Sequence, residues 1–203
     1  LPIAVFRVEL FNRGALTVEA AVCASLPNFV GMDGSKTKRD WKGDPQVLGA
    51  AGNRNAWRRT TAAQGLFLSS EKVDPKDPAW GSLGLVTAPE ASATARTGWA
   101  EGGWSGALLD FWDDFLADGR LDEREAGATD TPMASLAVSI DLAPGQAREA
   151  LFLLAWHFPN RVSWTPKSDP PGPDDWVGNH YATQFADAWD VAEKALPRLP
   201  ELH

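Results

Sequence analysis

The sequence predicts a mainly β fold: an antiparallel β-sandwich with one mid-chain helix and one helix near the C-terminus. Three observations carry this. About seven short runs alternate or concentrate apolar residues at strand spacing. Only two stretches, 106–118 and 183–196, switch to helical spacing. Turn-forming Gly, Pro, Asn and Asp separate the runs, and no repeat or low-complexity tract interrupts them. At 203 residues the chain is long enough to bury a core without metals or disulfides.

Residues 3–11 (IAVFRVELF) place Val5, Arg7 and Glu9 on one face and Ala4, Phe6, Val8 and Leu10 on the other. Asn12-Arg13-Gly14 is a turn and 16–24 a second strand, so the two are expected to pair as a hairpin. Residues 27–63 are polar and read as a long excursion, in which Trp41 and Trp57 either anchor the loop, the favoured reading, or contact something else. Strands are expected at 65–70, 81–87 and 92–99, the first two separated by the DPKDP turn. In 106–118 (GALLDFWDDFLAD), Leu108, Leu109, Trp112, Phe115 and Leu116 recur at helical spacing opposite Asp110, Asp113 and Asp114. Gly119 ends that helix.

Residues 134–142 and 148–158 flank Ala-Pro-Gly-Gln at 143–146 and read as a second hairpin. The later strand is nearly all apolar and is expected mid-sheet, buried on both faces. Residues 166–173 (PKSDPPGP) break the chain. The last helix, 183–196, is expected to be capped by Thr183 and to bury Phe185, Ala188, Trp189, Ala192 and Leu196.

Composition narrows function. The net charge of -8 argues against nucleic acid or an anionic membrane as partner, since both demand a positive face. No stretch reaches the roughly 18 apolar residues of a membrane span. Cys23 is the only cysteine, which excludes an internal disulfide and suggests a cytoplasmic setting. The chain opens at Leu1 already inside a strand, so a piece of a longer protein is expected. Ten tryptophans against one tyrosine hint at carbohydrate, because indole offers a broad apolar face with one N–H donor.

Catalytic sets are hard to find. No Gly-x-Ser-x-Gly elbow and no Gly-rich phosphate loop is present, Gly102-Gly103 lacking the context for one. Cys23 lies in a strand and reads as a structural thiol. His157 and His180 are too few for a metal site, and neither metal nor cofactor is expected. Asp113/Asp114 and Asp174/Asp175 are adjacent in sequence, so their side chains diverge. The 118–127 segment spaces its acids like a calcium loop, but arginines occupy ligand positions and the sixth is not glycine. Two aromatic-polar clusters are the better candidates for substrate binding or a domain interface: Trp156, His157 and Asn160 at a strand end, and Trp176, Asn179, His180 and Tyr181 before the last helix.

The runs FLLAWHFPNR (152–161) and VGNHYATQFADAWDVAEKALPRLPEL (177–202) carry these clusters. They resemble the end of the N-terminal domain of the non-lysosomal glucosylceramidase and β-glucosidase family, glycoside hydrolase family 116. LPIAVFRVELFN and LPNFVG resemble strands from the middle of that domain. The resemblance implies an accessory sandwich over 1–182, incomplete at its start. It implies a helix and connector over 183–203, leading to a helical-barrel catalytic domain that lies outside this chain. That barrel would supply both carboxylates of a retaining β-glucosidase, acting on a β-glucoside or glucosylceramide, with the full protein peripheral to a membrane. No catalytic residue carries over to this chain. A carbohydrate-binding module using exposed tryptophans is the alternative.

Overall fold

The computed structural model describes residues 1–32, 34, 37–39, 42–47, 49–50, 52–100, 106–124 and 132–201. Trp41, read from sequence as a loop anchor, lies outside them, as do Gly102-Gly103. The fold is mainly β, with ten strands in antiparallel pairs among the described residues. These are β1 (Ile3–Phe11), β2 (Val18–Pro27), β3 (Thr37–Arg39), β4 (Pro45–Val47), β5 (Asn53–Arg59), β6 (Gln64–Ser70), β7 (Ser82–Thr87), β8 (Ser92–Arg96), β9 (Met133–Leu142) and β10 (Ala147–His157). The described residues also form the α-helices α1 (Gly106–Asp118) and α2 (Ala188–Ala195) and three short 3-10 turns. One sheet has the order β1-β10-β7-β6-β5 and faces a second of order β2-β9-β8, while β3 and β4 form a two-stranded sheet.

Alternation along the strands builds the layers. Leu66, Leu68, Leu83, Leu85 and Phe152 fill the space between the two sheets, together with Leu136 and Val138 from β9. Their neighbours Phe67, Val86, Leu153 and Ala155 point the other way and pack on α2. Phe111 of α1 packs with Leu121 on Ala137, over the outer face of the second sheet. The layers therefore run α2, five-stranded sheet, three-stranded sheet, α1. β10 sits between β1 and β7 with apolar side chains buried on both faces, as its composition predicts.

Neither expected hairpin forms. β1 pairs with β10 and β2 with β9, so 12–17 and 143–146 each carry the chain from one sheet to the other. The turn at 143–146 is present, closed by Gln146 N donating to Ala143 O at 3.0 Å. Pro144 followed by Gly145 at φ +73° is the pattern of a type II turn. That turn splays its flanking strands, whereas two-residue hairpins use the primed types. Asn12 joins the crossings: its Nδ2 donates to Leu16 O and to Leu142 O, both at 2.8 Å. Its backbone N–H donates to Gln146 O at 3.0 Å.

The polar excursion at 27–63 is also more ordered than its composition suggests. It contains β3, β4 and β5, and β5 is an edge strand of the larger sheet. Its Asn and Arg residues hide any alternation of hydrophobicity. Three asparagines secure this end: Asn28 Nδ2 donates to Arg54 O, Asn55 Oδ1 and Ser69 O, and Asn53 Nδ2 donates to Asn28 O and Val30 O.

α1 has the expected bounds but not the expected face. Leu108, Leu109, Trp112 and Leu116 are exposed, and Phe111 is the buried anchor. The reason is Arg96, which is 2% exposed. It bonds Asp110 at 2.7 Å and Asp114 at 3.0 Å, drawing the acidic side of α1 onto the sheet. Cys23 packs beneath this helix, and burial pushes its thiol up to about 11 against a smaller lowering by its hydrogen bond with Ser25. The last helix starts later than expected. Thr183 lies in a 3-10 turn with its hydroxyl donated back to His180 O, and the cap is Asp187, whose side chain accepts from Asp190 N at 2.8 Å. The face Phe185, Ala188, Trp189, Ala192 and Leu196 is buried as expected.

Candidate functional site

The C-terminal end of β10 and the segment that follows it hold all seven candidate side chains. Strand alternation splits the first cluster at once. Trp156 points between the sheets and packs on that core. His157 points to the α2 side and is buried, its Nε2 2.9 Å from Phe185 O and its ring edge-on to Tyr181. Gly81 permits this packing, because a Cβ there would collide with His157 O and the Phe158 ring.

The second cluster folds back onto the strand end. Tyr181 Oη donates to Phe158 O at 2.9 Å and accepts from Phe158 N at 3.1 Å. Asn179 Nδ2 donates to the same carbonyl at 2.7 Å, and Asn179 N donates to Pro159 O at 2.9 Å. Asn160 Nδ2 donates to Pro75 O and Asp77 O at 2.7 and 2.9 Å, anchoring the 74–78 turn. His157, Asn160, Asn179 and Tyr181 thus direct their polar atoms into the protein. His180 stays exposed, with Nε2 3.1 Å from Gln184 Nε2.

Between the clusters the chain makes an excursion over 161–178. An antiparallel bridge joins Val162 to Trp176, and Ser163 N donates to Asp175 O at 2.6 Å. Asp175 is the hub of this excursion. Its carboxylate is buried and accepts from Lys167 N and Gly172 N, both at 2.8 Å. A charged acceptor satisfied by backbone donors stiffens a loop that has no core of its own. The loop presents Trp164 at 97% exposure, with Trp176 at 41% and Val177 beside it in sequence also exposed. Trp164 was not among the sequence candidates. The sequence signal is an indole in a polar loop followed by prolines.

Elsewhere the adjacent acids diverge. Asp174 is exposed, 3.9 Å from Lys167, while Asp175 turns inward. Asp113 is exposed, while Asp114 meets Arg96. Among the described residues no group of three His, Cys, Asp or Glu converges as a metal site would require. No helix among them is long and apolar enough to cross a membrane.

The chain matches the family model described as beta-glucosidase 2, glycosyl-hydrolase family 116 N-term, over residues 1–202. It belongs to the glycoside hydrolase family 116 N-terminal domain family. No curated protein matches the chain. The two clusters of this family 116 domain are thus one assembly, in which the second buttresses the end of the strand that carries the first. The accessible part of the assembly is Trp164, Trp176, Val177 and His180.

Proposed function

We propose that this chain is the non-catalytic accessory part of a β-glucosidase of glucosylceramidase type. In this reading residues 1–182 form the sandwich, and 183–203 connect it to a helical-barrel domain of the same protein. The barrel carries the catalytic carboxylates. The sandwich packs against it through the 161–184 region and shapes the rim over a β-glucoside or glucosylceramide. The observation that carries the reading is the pair Trp164 and Trp176, held out by a loop whose hub, Asp175, is buried. Rigid loops with exposed aromatics suit recognition, since little order is lost on contact. The single cysteine fits a cytoplasmic setting for the enzyme.

Two measurements test it. The chain alone should not turn over an aryl β-glucoside, and robust turnover would sink the reading. In a protein that carries both domains, Trp164→Ala should weaken association of the sandwich with the barrel or raise KM. An unchanged interface and unchanged kinetics would count against it.

The exposure of Trp164 also supports a second reading, a carbohydrate-binding module. Titration with gluco-oligosaccharides, followed by tryptophan fluorescence, separates the two. A saturable change lost in Trp164→Ala favours binding, and a flat response at millimolar sugar removes it.

A further inference from the structure

The two arms of the 161–178 excursion form a short antiparallel ladder. Val177 N donates to Arg161 O at 2.9 Å, and Ser163 N donates to Asp175 O at 2.6 Å. Val162 and Trp176 bridge between these bonds. They are a non-hydrogen-bonded pair, the kind that brings opposite side chains closest. Side chains alternate along each arm, so Ser163 and Asp175 take one face, and Val162 and Trp176 the other. Asp175 is buried, which makes its face the inner one, and Trp176 is exposed on the outer one.

The same alternation sets Trp164, two residues beyond Val162, and Asp174, two residues before Trp176, on the outer face. Lys167 joins them, its Nζ 3.9 Å from Asp174 Oδ2. The Asp175 hub supports this placement, because its carboxylate accepts from Lys167 N and so ties Lys167 beside Asp174. The Lys167 and Asp174 side chains are 78% and 85% exposed. So exposed an ion pair is weak, and each partner can exchange it for a ligand hydrogen bond at little cost. The outer face therefore combines two indoles with one anionic acceptor and one cationic donor.

This composition selects among ligands. The centre of a protein interface is depleted of Lys and Asp. An acyl chain laid over the indoles would strip both charges of water. A pyranose suits all four side chains. Its ring C–H groups stack on indole, and its hydroxyls, each both donor and acceptor, satisfy a carboxylate and an ammonium together. The gluco configuration suits best, because equatorial hydroxyls leave both ring faces flat. Two indoles at neighbouring positions provide for more than one ring. A net charge of -8 does not oppose a neutral ligand.

We propose that the outer face of this excursion binds a gluco-configured oligosaccharide, with Trp164 and Trp176 as the stacking surface and Asp174 and Lys167 as the hydrogen-bonding rim. This rests on the carbohydrate-binding reading of Trp164, and adds to it the two charged residues and the configuration of the sugar. The face then lies at the rim of any contact with a barrel domain, not inside it.

Calorimetric titration of the 203-residue chain with cellotetraose tests this, using Trp164→Ala, Asp174→Ala and Lys167→Ala, with Trp112→Ala as a control. The wild type should bind saturably, and Trp164→Ala should abolish the response. Asp174→Ala and Lys167→Ala should each weaken binding roughly tenfold, the worth of one hydrogen bond to a charged group. Trp112→Ala should change nothing, since that indole is also exposed but lies on α1. β-1,4-linked galactotetraose, whose axial oxygens break the flat ring faces, should bind roughly tenfold more weakly than cellotetraose. Slow amide exchange at Gly172 in every variant shows that the Asp175 hub is intact. A flat wild-type response overturns the proposal and the carbohydrate-binding reading together. A response lost in Trp164→Ala but unmoved by Asp174→Ala and Lys167→Ala overturns the proposal alone. So does equal affinity for galactotetraose, or an equal loss in Trp112→Ala.

Discussion

The phenol of Tyr181 closes on a single peptide residue, Phe158, donating to its carbonyl and accepting from its N–H. This pins the first turn of the last segment to the end of β10, and the exposed face of the candidate site rests on it. Tyr181→Phe keeps the ring but leaves the Phe158 N–H unpaired. Its carbonyl keeps Asn179. The change should cost about 1–2 kcal/mol in urea unfolding. It should also speed exchange of the 179–185 amides selectively.

Asn12 is the polar link between the two sheet crossings. In Asn12→Ala the carbonyls of Leu16 and Leu142 lose their donor, and Gly14 N loses its acceptor. A loss of about 2–3 kcal/mol is expected, since Asn12 is buried and water cannot readily replace the amide. Denaturant midpoints read it directly, and Asn12→Asp should recover only the Gly14 bond.

Arg96→Leu should destabilise more. The guanidinium holds Asp110 and Asp114, and its Nε donates to Asp122 O at 3.1 Å. Removing it leaves Asp114 partly buried beside Asp110. The cost should be about 3 kcal/mol, toward the low end for a broken buried pair because Asp110 is partly exposed and keeps Arg124. Arg96→Lys should restore little, because an ammonium cannot reproduce the guanidinium fork. Thermal melts at neutral pH check both.

Asp190 supplies a pH dependence. Burial alone would raise its pKa, but hydrogen bonds from Lys194 and Ala186 N, with the charges of Lys194 and His157, hold it below the ordinary carboxylate value. A depressed folded pKa stabilises the fold above the unfolded value of about 4, and that contribution is lost as pH falls through the folded value. Asp190→Asn should therefore melt below wild type at pH 7. The gap should close as pH drops below about 4. A gap of constant size down to pH 2 would show that the charge contributes nothing.

Local pattern was enough where one strand or helix settles the matter by itself. The bounds of β1 and α1, and the doubly buried character of β10, follow from periodicity and from Gly119. The buried face of α2 follows from the spacing of Phe185, Ala188, Trp189 and Ala192. The candidate site was legible as two clusters, but not as a structure in which one buttresses the other. Asn179 and Tyr181 bond a carbonyl more than twenty residues away, and no local rule specifies that partner. The exposure of Trp164 is decided by what fails to pack on it, which only the folded loop fixes.

By itself the sequence determined the element types, the mainly β class, the two helices and the clusters that flank the end of β10. Tertiary structure alone decided partners. A strand's alternation dictates which face is buried but is silent on which neighbour bonds its edge, so two apparent hairpins became four strands shared between two sheets. A helix's apolar spacing dictates a stripe but cannot anticipate a buried arginine, so Arg96 drew the acidic face of α1 inward and left Leu108, Leu109, Trp112 and Leu116 outside. In each case the deciding energy comes from groups far apart in the chain, where long-range hydrogen bonds and ion pairs outweigh local preference.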